Sequence, residues 1–176
     1  MRKTARFLMA LMVALTLMLC FRSLAFTIYH VEGQGLSPLL TEGDRVLVNR
    51  WSYGLRVGSP LGYGRIMARP VKRGDIVAFE NPRNTAQVLF CRCKAVPGDT
   101  ISHQGKTLIV PGRSTCAKYD FYWMDAIGTG NTLDSRTLGF ISERFIIGRA
   151  IHVVYSRDPA KPLWQGWRPD RTLLPL

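Results

Sequence analysis

The stretch Gly33-Gln34-Gly35-Leu36-Ser37-Pro38-Leu39-Leu40-Thr41-Glu42-Gly43-Asp44 carries three glycines, a Ser-Pro pair and a closing Gly-Asp. Such punctuation marks a loop, with Ser37 as the turn residue ahead of Pro38. Directly after it, residues 45–49 form a short apolar run read as a strand. The same texture continues outward along the chain from residue 28. Runs rich in Val, Ile, Phe and Tyr at 75–79, 87–94, 106–109 and 145–155 alternate with Gly, Pro, Asn and Asp. Pro97-Gly98-Asp99 and Asn81-Pro82-Arg83-Asn84 are turn signals of the kind that preset φ or tolerate the left-handed region. The expected class is mainly β, as packed antiparallel sheets, with no internal repeat.

Upstream of the loop the chain changes character. Arg2, Lys3 and Arg6 precede an uncharged run from Phe7 to Phe21, which resumes after Arg22 as Leu24-Ala25-Phe26-Thr27-Ile28. Its 15 residues fall short of the roughly 20 that cross a bilayer. A span therefore requires Arg22 to snorkel at the outer face. The positive bias ahead of the run puts the N-terminus in the cytoplasm and the bulk of the chain outside. Two readings follow: a single-pass anchor in the cytoplasmic membrane over residues 1–28 with an exported β domain over 29–176, or a signal peptide cleaved near Ser23-Leu24-Ala25. The anchor is the expectation carried forward.

Lys and Arg outnumber Asp and Glu by 24 to 12, and the pI is about 10.1. That balance calls for an anionic neighbour, and with no nucleic-acid-binding motif the expected neighbour is a membrane surface. Residues 54–73 carry Arg56, Arg65, Arg69, Lys72 and Arg73 without an acid and are read as an irregular basic loop, either lipid-facing or simply solvated. Trp164 and Trp167 in the tail are either interfacial anchors or part of a strap on the β core. The four cysteines, Cys20, Cys91, Cys93 and Cys116, have no zinc spacing. Cys116 either pairs with Cys91 or Cys93, or the thiols stay free.

Five blocks in order resemble the type I signal peptidases, the S26-type serine peptidases. They are the quoted loop with its entry at residues 22–31; Gly43-Asp44 through Tyr53-Gly54; Lys72-Arg73-Gly74-Asp75 through Asn81-Pro82; Arg92 through Pro97-Gly98-Asp99; and Asp134-Ser135-Arg136 through Gly148-Arg149-Ala150. The resemblance implies the family's β fold and no metal or cofactor. It also implies a serine–lysine dyad, in which a buried lysine of lowered pKa activates the serine.

Position for position, that serine falls on Gly35 and the lysine on Cys91, while the oxyanion-assisting serine falls on Gly33. The hydroxyl that orients the lysine falls on Thr132. Arg92, Asp134 and Arg136 match residues that brace the site by ion pairing. Ser37 and Cys93 are the substitutes for a nucleophile. Ser37 lies about one strand step from Gly35, roughly 6.6 Å, and Lys94 falls on the opposite face of the strand from Cys91. His30, His103 and His152 are the only histidines available as a base. The resemblance thus implies a catalytically inactive family member that binds an extended peptide or exported preprotein across Gly33, Gln34, Gly35, Leu36 and Ser37, beside an active paralogue or a secretion machine. The alternative is an active signal peptidase using a non-standard nucleophile.

Overall fold

The computed structural model describes residues 2–33, 35–59, 62–128, 133–162 and 165–176. Helix α1 (Arg2–Ala25) runs without a linker into β1 (Phe26–His30), the edge of the main sheet. From β1 the sheet proceeds through β2 (Asp44–Asn49), β11 (Ile146–Ser156), β5 (Ile76–Asn81), β6 (Asn84–Ala95), β9 (Phe121–Asp125) and β10 (Ile141–Ser142), with β12 (Leu174–Pro175) on β11. Two hairpins stand apart, β3 (Leu55–Ser59) with β4 (Gly62–Ile66), and β7 (Thr100–His103) with β8 (Lys106–Ile109). Every pairing is antiparallel.

The centre of the sheet is covered on both faces. Ile76 and Ala78 of β5 join Val46, Val48, Phe90, Ala150 and Val153 in one cluster, while Val77 and Phe79 join Cys91, Cys93, Met124 and Ile146 in another. This two-sided burial explains why β5 reads as a continuous apolar run rather than an alternating one. Burying a side chain such as Phe79 or Val77 stabilises the fold by about 1.5–3 kcal/mol.

Among the described residues, no helix is long and apolar enough to cross a membrane. Arg2, Lys3, Arg6 and Arg22 all lie on α1, which leaves only the uncharged stretch between them. The expected boundary at residue 28 also falls inside β1, since Phe26 already pairs with Asn49.

Residues 54–73 are not one irregular loop, because the hairpin of β3 and β4 lies within them. Its arginines are tied to the domain rather than left for lipid. Arg56 pairs with Glu80 and donates to the Arg144 carbonyl at 3.1 Å. Arg65 donates to the carbonyls of Gly54 (2.9 Å), Glu143 (3.0 Å) and Ile146. Cys91, Cys93 and Cys116 are free thiols, the first two buried and the third exposed. Trp164 lies outside the described residues. Trp167 is exposed, with its indole N–H donating to the Thr172 hydroxyl at 3.2 Å.

Candidate functional site

The loop between β1 and β2 is closed at its neck by backbone pairing. Val31 N–H donates to the Asp44 carbonyl at 2.9 Å, and Gly43 N–H donates to the Val31 carbonyl at 3.4 Å. Gly43 has φ +92°, and a Cβ there would sit 1.8 Å from the Arg157 carbonyl oxygen, so no larger residue allows this closure. Within the loop, Leu40 N–H donates to the Leu36 carbonyl at 3.0 Å. That single turn puts both leucines, spaced by four, on one side and buries them beside Val31, Val46 and Val48. The apolar pair therefore fixes where Gly35 lies.

Gly35 and Cys91 face the same cavity. It has a volume of about 190 Å³ and takes one wall from the loop (Gly33, Gly35, Leu36, Leu40) and another from β6 (Gln87, Leu89, Phe90, Cys91). Ala126 and Leu133, which flank the connection after β9, also line it, as do Val31 and Glu32 directly after β1. Gly128 N–H donates to the Gly35 carbonyl at 2.9 Å and ties this connection to the loop. β9 pairs with β6 only from Arg92 to Ala95. Among the described residues, then, no strand covers the second edge of β6 at Gln87–Cys91, the part of β6 that lines the cavity.

The strand parity expected for β6 is present. Cys91 and Cys93 point inward, whereas Arg92 and Lys94 are exposed. Lys94 pairs with Asp125 at 3.2 Å. Ser37 is half-buried and does not line the cavity. His30 and His152 are exposed, and His103 packs on the Trp123 ring at 5.2 Å, so none of the three reaches Cys91. Gln34 and Thr132 lie outside the described residues.

The brace differs from its expected composition. Asp134, 1 % exposed, accepts from Arg136 Nε at 2.7 Å, from Arg136 N–H at 2.9 Å and from Ala126 N–H at 3.2 Å. It thereby caps the short helix α2 (Ser135–Leu138), while the Ser135 hydroxyl accepts from Met124 N–H at 2.8 Å. Arg136 also reaches Asp125 at 3.5 Å and the Ala126 carbonyl at 3.1 Å. Arg92 is no part of this cluster. It sits exposed opposite Asp125 in the register and makes no ion pair with a described residue, because the outward face at Asp125 is taken by Lys94 and Arg136. Sequence reading missed Asp125, whose only signal is its place at the end of a strand, two residues after Trp123.

Electrostatics at the cavity suppress thiol chemistry. Burial, then the carboxylates of Asp134 and Asp125, push the Cys91 thiol well above its ordinary range, with Arg136 opposing. Burial, then Asp75 and Asp99, push Cys93 up to about 12. A thiol attacks as its thiolate, and neither group supplies one near neutral pH. Cys91 instead directs its S–H toward the Leu133 carbonyl, 3.9 Å away.

The site thus sits in a mainly β domain of antiparallel sheets, where a glycine-bearing loop closes a cavity against one strand with a charged brace nearby. The chain belongs to the signal peptidase, peptidase S26, family, whose model matches residues 4–127. It is similar to mitochondrial inner membrane protease subunit 2 of Danio rerio, with 29 % identity over 147 residues covering 81 % of this chain and 71 % of that protein. It is similar also to the mouse protein of the same name, with 26 % identity over 167 residues (90 % and 84 %). Signal peptidase I V of Bacillus subtilis is 27 % identical over 166 residues (77 % and 90 %). The brace around Asp134 lies beyond the matched residues.

Proposed function

We propose that this chain is a catalytically silent member of the S26 family that holds an extended peptide or exported preprotein in the cavity between Gly35 and Cys91. The observation that carries this reading is that both positions expected to hold the dyad face one open cavity, and neither offers an activated nucleophile or a base. Peptide capture by strand addition needs only main-chain hydrogen bonds and a pocket, and the edge of β6 at Gln87–Cys91, unpaired among the described residues and beside a cavity of mixed polar and apolar lining, supplies both. The half-buried Ser37 and the protonated thiols of Cys91 and Cys93 argue against the alternative of cleavage through a substitute nucleophile.

Membrane association belongs to the same reading. Along α1, Phe7, Leu8, Met9, Leu11, Met12, Val13, Leu15, Leu17, Met18 and Leu19 are all exposed. A helix apolar on every side and left uncovered by its own domain needs an apolar host. We place that host in the cytoplasmic membrane, with the β domain at its outer face, where an active paralogue or secretion machine supplies the peptide. The relatives that bear the name of a protease subunit support a role inside an assembly.

The test is titration of the full chain in detergent with a fluorescent peptide carrying an Ala-x-Ala site. Leu133 lines the cavity at 37 % exposure, so Leu133→Trp fills the opening without entering the core. The expected outcome is saturable binding by the unmodified chain and at least about a tenfold loss in the variant, equivalent to about 1.4 kcal/mol. Equal binding by both proteins would move the ligand elsewhere and overturn the proposal.

A further inference from the structure

Asp44 closes the loop, has no solvent exposure, and carries a carboxylate whose partners come from three places. The Ser156 hydroxyl donates to it at 2.6 Å and Thr41 N–H at 2.9 Å. The third partner is Arg171, in the 3-10 turn Pro169–Arg171, whose guanidinium meets Asp44 at 2.8 Å. The same guanidinium donates to the Pro38 carbonyl at 3.1 Å and to the Leu39 carbonyl at 2.9 Å. Nearby, Arg168 donates to the Thr41 hydroxyl at 3.1 Å.

The segment bearing these arginines is itself fastened to the sheet. β12 pairs with His152 and Val153 of β11, and Leu176 N–H donates to the Ile151 carbonyl at 3.0 Å. The strap therefore grips the outer side of the loop whose inner side, through Gly35, Leu36 and Leu40, walls the cavity. It lies wholly outside the residues that the family model matches.

We propose that Arg171 is the positioning residue of the peptide site, and that the strap sets the gap between Gly35 and Cys91 by holding residues 38–44. The proposal rests on the peptide-binding reading given above for its consequence, but not for the clamp itself. A planar guanidinium spans one carboxylate and two carbonyls at once, which an ammonium on a flexible stem does not. Arg171→Lys keeps charge near Asp44 and gives up the shared grip on the carbonyls. Burial raises the Asp44 carboxyl, but the hydrogen bonds from Arg171, Ser156 and Thr41 outweigh it and hold it below its ordinary value.

The test uses the full chain and two readouts. Amide hydrogen exchange at Leu40 and Thr41, whose N–H groups are bonded inside the loop, reports the clamp directly. Binding of the Ala-x-Ala peptide reports its consequence. Arg171→Ala is expected to speed exchange at those two amides about a hundredfold while β5 and β6 amides keep their protection, and to weaken the peptide about tenfold. Arg171→Lys is expected to fall between, and decides alone if the alanine variant fails to fold. Unchanged loop exchange overturns the proposal, as does an equal rise across the whole sheet, which would make Arg171 a general stabiliser. If the unmodified chain binds no peptide, the functional reading falls while loop exchange still decides the clamp.

Discussion

Gly35→Ser and Cys91→Lys, placed together in one chain, are expected to create peptide cleavage that the unmodified protein lacks. Members of a catalytic unit are grossly non-additive, and loss of the unit costs on the order of 10⁶ in turnover. Each single variant therefore stays silent, and only the pair gains, by at least about 10² as a positioned base begins to act. The cavity suits the exchange, because both positions line it and about 190 Å³ of space is free beside them. A lysine amine at 91 inherits the surroundings of the thiol. Burial lowers its pKa, whereas Asp134 and Asp125, the carboxylates that push the thiol upward, favour the charged amine. Cleavage by the pair is accordingly expected to rise with pH as the amine loses its proton. It stays below that of an intact dyad enzyme, since Gly33 supplies no oxyanion hydroxyl, a loss of about 10²–10³. A serine at Gly33 has open space around its Cβ, but φ of +81° adds about 1–2 kcal/mol of backbone strain. Initial rates of peptide hydrolysis across pH 6–10 check the whole set.

Asp134→Ala is expected to give the largest loss of stability at the site, about 3 kcal/mol. Removing the carboxylate deletes the cap of α2, worth about 1 kcal/mol. It also strands the Ala126 N–H, and an unsatisfied buried donor costs about 1–3 kcal/mol. Arg136, half-exposed, stays solvated and adds little. Asp134→Asn keeps an acceptor for one of these amides and is expected to recover about half of the loss. Urea unfolding of the two variants beside the unmodified chain reads this directly. A change below about 0.5 kcal/mol for Asp134→Ala would show that Ala126 and α2 find other partners.

Much of this architecture was legible because local chemistry and tertiary context agree. The apolar runs that form β2, β5, β6, β8 and β11 are buried on at least one face or bounded by strong turns, and the period-2 rule alone puts Lys94 on the opposite face from Cys91. The misreadings share a cause. β3 and β4 carry glycines and arginines that resemble a solvated loop, and their pairing becomes visible only once Arg65 is seen reaching carbonyls near residue 143. Arg92 matched a brace residue by its place beside the lysine position, yet the cations that meet Asp125 on that outward face are Lys94 and Arg136. Arg171 lies 127 residues from Asp44, a separation at which sequence pattern holds no signal.

The most direct test of the central claim is the intact mass of a preprotein with an Ala-x-Ala signal site after prolonged incubation with the unmodified full-length chain in detergent. The account predicts an uncut preprotein that co-elutes with the chain. A product shortened at the signal site, and lost on Ser37→Ala, Cys91→Ala or Cys93→Ala, would contradict it and identify the nucleophile.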